Sequence, residues 1–310
     1  MPKYILIRCL QALPVLLLVV AITFFMVRAA PGGPFDSERA VAPEILQQLN
    51  ARYNLDDPPL SQLGQYLLNL LQGDFGPSFK YPGRSVNELI YSGLPVTLEL
   101  GVYALLFALF IGITTGVLAA IKPESWLDYI PMSVSMAGIC LPSFVLGPVL
   151  VLVFAVWLEW LPVSGWGQFS GDKILPAITL GAGYAAYIAR LTRGGMLEVM
   201  SMDYIRTARA KGLTEPMIIL RHGLRAGLLP VVSFLGPAAA GLLSGSFIVE
   251  TIYQIPGLGR FYIQAAFNRD YTMILGTTIL FAALIVVTNL ISDILSAMLD
   301  PRIRIAEDRN

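Results

Sequence analysis

The stretch Asp203-Tyr204-Ile205-Arg206-Thr207-Ala208-Arg209-Ala210-Lys211-Gly212-Leu213 stands at the centre of a polar insertion, Arg190 to Gly227, set between two apolar runs. The insertion holds seven bases (Arg190, Arg193, Arg206, Arg209, Lys211, Arg221, Arg225) and three acids (Glu198, Asp203, Glu215). Asp203 is placed to cap a short helix over Tyr204 to Lys211, and Gly212 stands where a left-handed stop is wanted. Acid at the start and base at the end suit the helix dipole. Thr214 is placed to cap a second helix with Pro216 in its first turn, where a missing N–H costs nothing. This describes a two-turn helix carrying the small residues Thr207, Ala208 and Ala210, which let a partner approach the backbone. The alternative is that the bases serve only to fix topology.

Outward from this insertion the chain is apolar. Of its 310 residues 55% are hydrophobic and only 14% are charged, against about 25% charged in an ordinary soluble domain. A spanning helix needs roughly 20 apolar residues to cross a hydrocarbon core about 30 Å thick. Six stretches qualify: Leu10–Val27, Leu94–Ile121, Ile130–Trp157, Ile174–Ala189, Leu228–Val249 and Met273–Leu299. The expected fold class is therefore all-α, a polytopic membrane protein with six transmembrane helices. The first stretch resembles a secretory signal, with Lys3 and Arg8 before it and Ala29-Ala30 after it, but it is long for one and five more spans follow.

Net charge is zero, with 21 bases and 21 acids, yet the charges are not evenly spread. With the N-terminus inside, Lys3, Arg8, Lys122, the seven bases of the insertion, Arg302, Arg304 and Arg309 share one side, 13 of the 21. The other eight are spread over longer segments, most of them in the loop from Arg28 to Pro95, where acids outnumber bases. The Lys/Arg bias predicts N-in, C-in topology. Trp157, Trp160 and Trp166 mark where the third span meets the outer interface. The segments expected are 1–30, the N-terminal end and first span; 31–93, an outside loop with short helices; 94–300, the remaining spans with the insertion 190–227; and 301–310, an inside tail.

In the outside loop, Leu60, Leu63, Leu67, Leu70 and Leu71 recur at helical spacing before a turn, Gly73-Asp74-Phe75-Gly76-Pro77-Ser78. Asp74-Phe75-Gly76 spells the kinase magnesium motif, but a Gly-rich loop, strand lysine and catalytic-loop aspartate are missing, and it reads as coincidence. Within the spans Gly112 and Gly116, Gly241 and Gly245, and Pro131, Pro142 and Pro148 offer close helix approach or a moving path.

The insertion, followed by Arg221-His222 and Leu229-Pro230, resembles the EAA loop of binding-protein-dependent ABC importer permeases, in the form seen in the peptide and nickel branch. Arg206 stands where the general pattern has Glu, and Leu224-Arg225 where it has Leu-Pro. Phe24-Phe25-Met26-Val27-Arg28 leading to Ala30-Pro31-Gly32, the Gly73 turn, Pro142-Ser143-Phe144, Val249-Glu250-Thr251-Ile252-Tyr253 with Pro256-Gly257-Leu258-Gly259, and Asp300-Pro301-Arg302-Ile303-Arg304 extend the likeness over nearly the whole chain. They are most similar to the B-type permeases of oligopeptide importers. The resemblance implies a type I ABC importer permease fold in a bacterial inner membrane. It also implies that Asp203, Arg206, Thr207, Ala208, Arg209, Ala210, Lys211 and Gly212 form a helix seated in a cleft of an ATPase subunit. The implied partners are a second homologous permease, two ABC ATPase subunits, a periplasmic or lipid-anchored solute-binding protein and a peptide substrate, with the lipid bilayer around them and no nucleic acid.

No Gly-x-x-x-x-Gly-Lys-Ser/Thr occurs in the chain, so no catalytic site or cofactor is expected here, and ATP and Mg belong to the ATPase partners. The single histidine, His222, excludes a multi-histidine metal site. Ser244 as an intramembrane protease nucleophile lacks a membrane-embedded histidine partner. An ion-coupled secondary transporter would show paired intramembrane charges, and none accompanies the proline-rich third span. A channel would not require the insertion. Candidate pathway or gate residues are Glu99 and Glu250, near the outer ends of their spans, and Asp293, the one clearly intramembrane acid. Each has a structural alternative as a packing or solvated group. Cargo alternatives are dipeptides, nickel chelates or related small molecules. A peptide importer accepts varied side chains, which favours a wide path of small, weakly polar groups.

Overall fold

The computed structural model describes residues 2–30, 33–35, 47, 55–81, 83–245 and 247–299, the side chains of 2–9, 293 and 295–299 excepted. The tail 301–310, most of the loop from 36 to 54 and the side chain of Asp293 therefore lie outside the described residues. Among the described residues the chain is helical, without a strand and with one isolated bridge between Pro77 and Ser85. The helices are α1 (Pro2–Ala29), α2 (Pro59–Leu71), α3 (Val86–Ile121), α4 (Trp126–Cys140), α5 (Ser143–Leu150), α6 (Ile174–Met200), α7 (Asp203–Ala210), α8 (Glu215–Met217), α9 (Leu224–Gly227), α10 (Leu229–Leu243), α11 (Phe247–Ile252), α12 (Leu258–Asn268) and α13 (Tyr271–Leu299). Wider π turns continue α5 over Val151–Trp157 and join α8 to α9 over Ile218–Gly223.

Among the described residues five stretches and one bent pair have the length and apolarity to cross a bilayer, six spans when the pair counts as one. The third expected span, Ile130–Trp157, is not one continuous helix. It is the bent pair, Trp126–Cys140 and Ser143–Trp157, which turn by 113° at the break. Pro142 has no N–H to give and forces the residue before it out of the helical region. Leu141 is accordingly extended, at φ −85° and ψ 115°. The fourth span runs well past its expected end, Ala189, through Arg190 and Arg193 to Met200.

The chain divides into two units, Met1–Thr97 with Pro256–Val286 and Leu98–Ile255 with Val287–Asn310. In the first, the leucine-spaced loop segment is helical as expected, as α2, and Gln62 accepts from the Arg28 guanidinium at 2.6 Å. Asp270 is nearly fully buried and gathers the Ser78–Lys80 segment onto the start of α13. It accepts from Ser78 Oγ at 2.5 Å, from the Phe79 and Lys80 amides at 3.2 Å, and from the Met273 amide at 3.2 Å. Asp74 accepts from the Gly76 amide at 2.8 Å, so the kinase-like triplet is an Asx turn.

The second unit is built around α6, against which α4, α5, α9, α10 and α11 pack. Close approach to α3 depends on missing side chains. A Cβ on Gly112 would lie 2.7 Å from the Ala185 carbonyl, one on Gly116 2.5 Å from that of Ala189, and one on Gly181 2.7 Å from that of Ala104. Lipid gives helices no hydrophobic drive to associate, so such backbone contact is how they adhere. Ala108, Ala185, Ile188 and Val231 form the buried cluster at this crossing. Immediately beyond this crossing, Arg193 on α6 forks onto Asp128 on α4 with two 2.6 Å bonds.

Candidate coupling surface and membrane cavity

The insertion folds as a small platform on the end of α6. Helix α7 starts differently from expectation: Met202, extended at φ −72° and ψ 153°, is the N-cap and supplies no side-chain bond. Asp203 takes the first helical position, where its charge still meets the dipole, and lies 3.6 Å from Arg206. The C-terminal end is as the sequence indicates. Gly212 has φ +77°; its amide donates to the Arg209 carbonyl at 2.9 Å, and the Leu213 amide to that of Ala208 at 3.3 Å. These two bonds make a Schellman stop, which satisfies the last carbonyls of the helix.

Ile205 and Ala208, three apart on one face, are buried with Val199 and Ile218, and Leu213 packs against them. Ala208 therefore faces inward and is not among the small residues offered to a partner, contrary to the sequence expectation. Arg206, Thr207, Ala210, Lys211 and Gly212 remain exposed. Thr214 is the extended N-cap of α8 with Pro216 in the first turn, as expected, though its hydroxyl makes no capping bond. Arg209 clips α7 to α8 through Glu215, at 2.7 and 3.3 Å. The pairing holds the Glu215 carboxyl below, and the Arg209 guanidinium above, their ordinary pKa values.

A second feature escaped sequence reasoning because it carries no charge. Beside the break between α4 and α5 lies an open cavity of about 390 Å³, lined in part by Ser143, Thr179, Gly183, Tyr184, Tyr187 and Phe234. The rings of Tyr187 and Phe234 lie 4.4 Å apart, and Tyr184 stacks on Phe234 at 6.5 Å. The Tyr184 hydroxyl sits 2.0 Å from where a Cβ on Gly241 would be. Glycine at 241 is what admits that ring. The wall offers hydroxyls and aromatic faces and no ionised group. Thr179, Gly183 and Tyr187 at four-residue spacing, with a proline at the helix break, were the signals available in the sequence.

The expected pathway acids are placed as follows. Glu99 accepts from Lys173 Nζ at 2.5 Å and from the Trp166 indole at 3.1 Å, and Lys173 lies 5.2 Å from the Trp166 ring centre. That hydrogen bond raises the Lys173 pKa. Glu250 is fully buried on α11, which removes its reading as a solvated group. Ser292, beside Asp293, fills the space that a Cβ on Gly236 would take, 2.0 Å away. Neither Glu99 nor Glu250 lines the cavity.

Residues 112–305 match the family of binding-protein-dependent transport system inner membrane components. The chain belongs to this family. As an inner membrane component it is similar over almost its full length to two bacterial proteins, each covered at 98% of this chain and 100% of the relative. They are the oligopeptide transport system permease proteins OppB of Haemophilus influenzae, 49% identical over 305 residues, and of Salmonella typhimurium, also 49% identical. Among solved structures, an inward-facing form of the MetNI methionine ABC transporter has a chain sharing this fold, with TM-score 0.57 and 20% identity over 68% of this chain and 96% of that one. The matched residues begin at Gly112 and include every residue named above for the cavity and the platform.

Proposed function

We propose that this chain is the permease subunit of an ATP-driven oligopeptide importer, supplying half of the translocation path and coupling to ATPase subunits through the insertion 190–227. The observation that carries the reading is the platform itself: α7 is locked from beneath by Ile205 and Ala208 and at its end by Gly212, and presents a polar face outward. A helix seated this rigidly transmits a push to α6 in place of absorbing it. The near full-length likeness to oligopeptide permeases supports the cargo. The neutral cavity supports it too, since a wall of hydroxyls and aromatic faces takes peptides of either charge without a buried unpaired ion.

In this reading the chain is a transport subunit without an ATPase site, and ATP with Mg binds to two ATPase subunits. A second homologous permease completes the path and a solute-binding protein delivers peptide. Both termini and the platform face the cytoplasm. Asp203, Arg206, Thr207, Arg209, Ala210, Lys211 and Gly212 shape or present the contact surface, and Ala208 anchors it. Glu99, Glu250 and Asp293 are second-rank pathway candidates, Glu99 being held by Lys173.

The test is Gly212→Val in the assembled transporter. A β-branched residue in the left-handed region costs about 1–2 kcal/mol and opens the stop. Peptide uptake and peptide-stimulated ATP hydrolysis should fall at least about tenfold, while membrane insertion and α-helical content stay as in the parent. Unchanged uptake rejects the coupling role. Competition of uptake by di-, tri- and pentapeptides or by nickel chelates then separates an oligopeptide cargo from its alternatives.

A further inference from the structure

Two arginines that follow α8 have no task in the coupling surface. Arg193, Arg206 and Arg209 each face a carboxylate, Asp128, Asp203 and Glu215. Among the described residues Arg221 and Arg225 have no such partner. They stand four apart on the irregular segment that runs from the π turn Ile218–Gly223 into α9, and both are exposed. Together with Tyr204, His222, Ala226 and Leu229 they line an open pocket of about 460 Å³ with no acid in its wall.

The pocket is pre-organised. Ile218, Gly223 and Gly227 are buried, and a Cβ on Gly223 would lie 3.0 Å, and one on Gly227 2.6 Å, from Met196 of α6. One on Gly195 would lie 2.2 Å from the Gly227 carbonyl. With one side of the segment pressed against α6, its arginines must point away from it. The Tyr204 hydroxyl reaches the His222 carbonyl at 3.5 Å across the pocket floor. The surroundings set the depth: Leu220 and Leu229 are exposed apolar residues, and at Leu229 the chain enters the span Leu229–Ile252. Cationic forks at the mouth of a span, with an apolar rim, stand where lipid headgroups lie.

We infer that Arg221 and Arg225 form a binding site for the phosphodiester headgroup of an anionic phospholipid, with Leu220 and Leu229 against its acyl chains. Arginine matches a phosphate with paired N–H donors, and a basic pocket at the end of a span recognises acidic headgroups. Bound lipid would tie the platform to the bilayer beside the helix that meets the ATPase. The site requires no particular cargo.

Native mass spectrometry of the full-length chain, delipidated in detergent and titrated with phosphatidylglycerol, phosphatidylcholine or inorganic phosphate, tests the inference. The parent should retain phosphatidylglycerol over phosphatidylcholine. Arg221→Gln and Arg225→Gln should each weaken that retention about fivefold, while Arg190→Gln, which removes the same charge elsewhere, should leave it unchanged. Inorganic phosphate at millimolar concentration should not displace the lipid. Three results each overturn the inference: equal retention of the two lipids by the parent, preference intact in the Arg221→Gln, Arg225→Gln double variant, or displacement by free phosphate. If the double variant keeps its lipid preference and instead loses ATPase subunits on purification, the surface is a protein contact. The parent's preference is read without any substitution, so misfolding of a variant does not shelter the idea.

Discussion

Asp128 and Arg193 show how far a single pair can depart from what its sequence position suggests. In the sequence Arg193 counts only as one of the seven bases of the insertion, and nothing there singles out Asp128. In the fold Asp128 is 3% exposed and is held bidentately by Arg193, with the Glu124 amide donating to it at 3.1 Å. A buried carboxylate with every oxygen occupied is strongly committed to its partner. Asp128→Asn leaves the guanidinium with a weaker acceptor and one surplus donor facing it. Breaking a fully buried pair costs about 3–5 kcal/mol, and because Arg193 keeps about a third of its side chain exposed the expected loss is roughly 2–4 kcal/mol. Thermal unfolding in detergent should show it. Arg193→Gln should cost a comparable amount, and the double variant less than the sum, because the two changes remove one interaction. Additive losses would mean that the pair does not act as a unit.

Among the elements, those written in local signals were legible and those made by meeting partners were not. Gly212 stops α7 because only the chain's own next turn is involved, and the leucines of α2 mark a helix by their spacing alone. The ion pairs Asp128–Arg193 and Glu99–Lys173 join residues 65 and 74 apart, and no periodicity announces them. Of three prolines in the third span only Pro142 breaks it: Pro131 sits within α4, and beyond Pro148 the helix widens into a π turn. The cavity at that break is made of neutral residues, so a search for intramembrane charge passed over it. The α3–α6 crossing lies between these cases. Gly112 and Gly116 are legible as a close-approach motif, but only the fold supplies Ala185 and Ala189 as its target. Gly116→Leu puts a branched side chain where even a Cβ lies 2.5 Å from a carbonyl and 2.6 Å from Thr192. Overpacking of about 1–3 kcal/mol is expected, with the helices forced apart. The measurable results are a lower melting temperature and faster proteolysis of the detergent-solubilised chain. Gly194→Leu, at a position on α6 with open space beside it, should be far milder.

At the level of the whole chain the bent pair decides the topology. Neither α4 nor the α5 segment, at 15 residues each, reaches across the roughly 30 Å hydrocarbon core as a lone helix. Counted as one broken span the pair gives six crossings, and both termini share a side. Counted as a re-entrant loop it gives five, and the termini are opposed. Charge separates the two. With six crossings the inside holds 13 bases and 9 acids and the outside 8 and 12. With five and the N-terminus inside, the crossings after the pair reverse, which moves the platform and its seven bases outside. That arrangement opposes the Lys/Arg bias in the short flanks where the bias acts most strongly. In a variant with Cys9 and Cys140 replaced by serine, Thr207→Cys on α7 should react with a membrane-impermeant maleimide only in inverted vesicles. Gln168→Cys, in the loop before α6, should react only in intact spheroplasts, and a C-terminal reporter fusion should be active on the inside. Labelling of Thr207→Cys from the outside would make the pair re-entrant and place the platform beyond the reach of any ATP-hydrolysing partner, sinking the topology and the coupling role together.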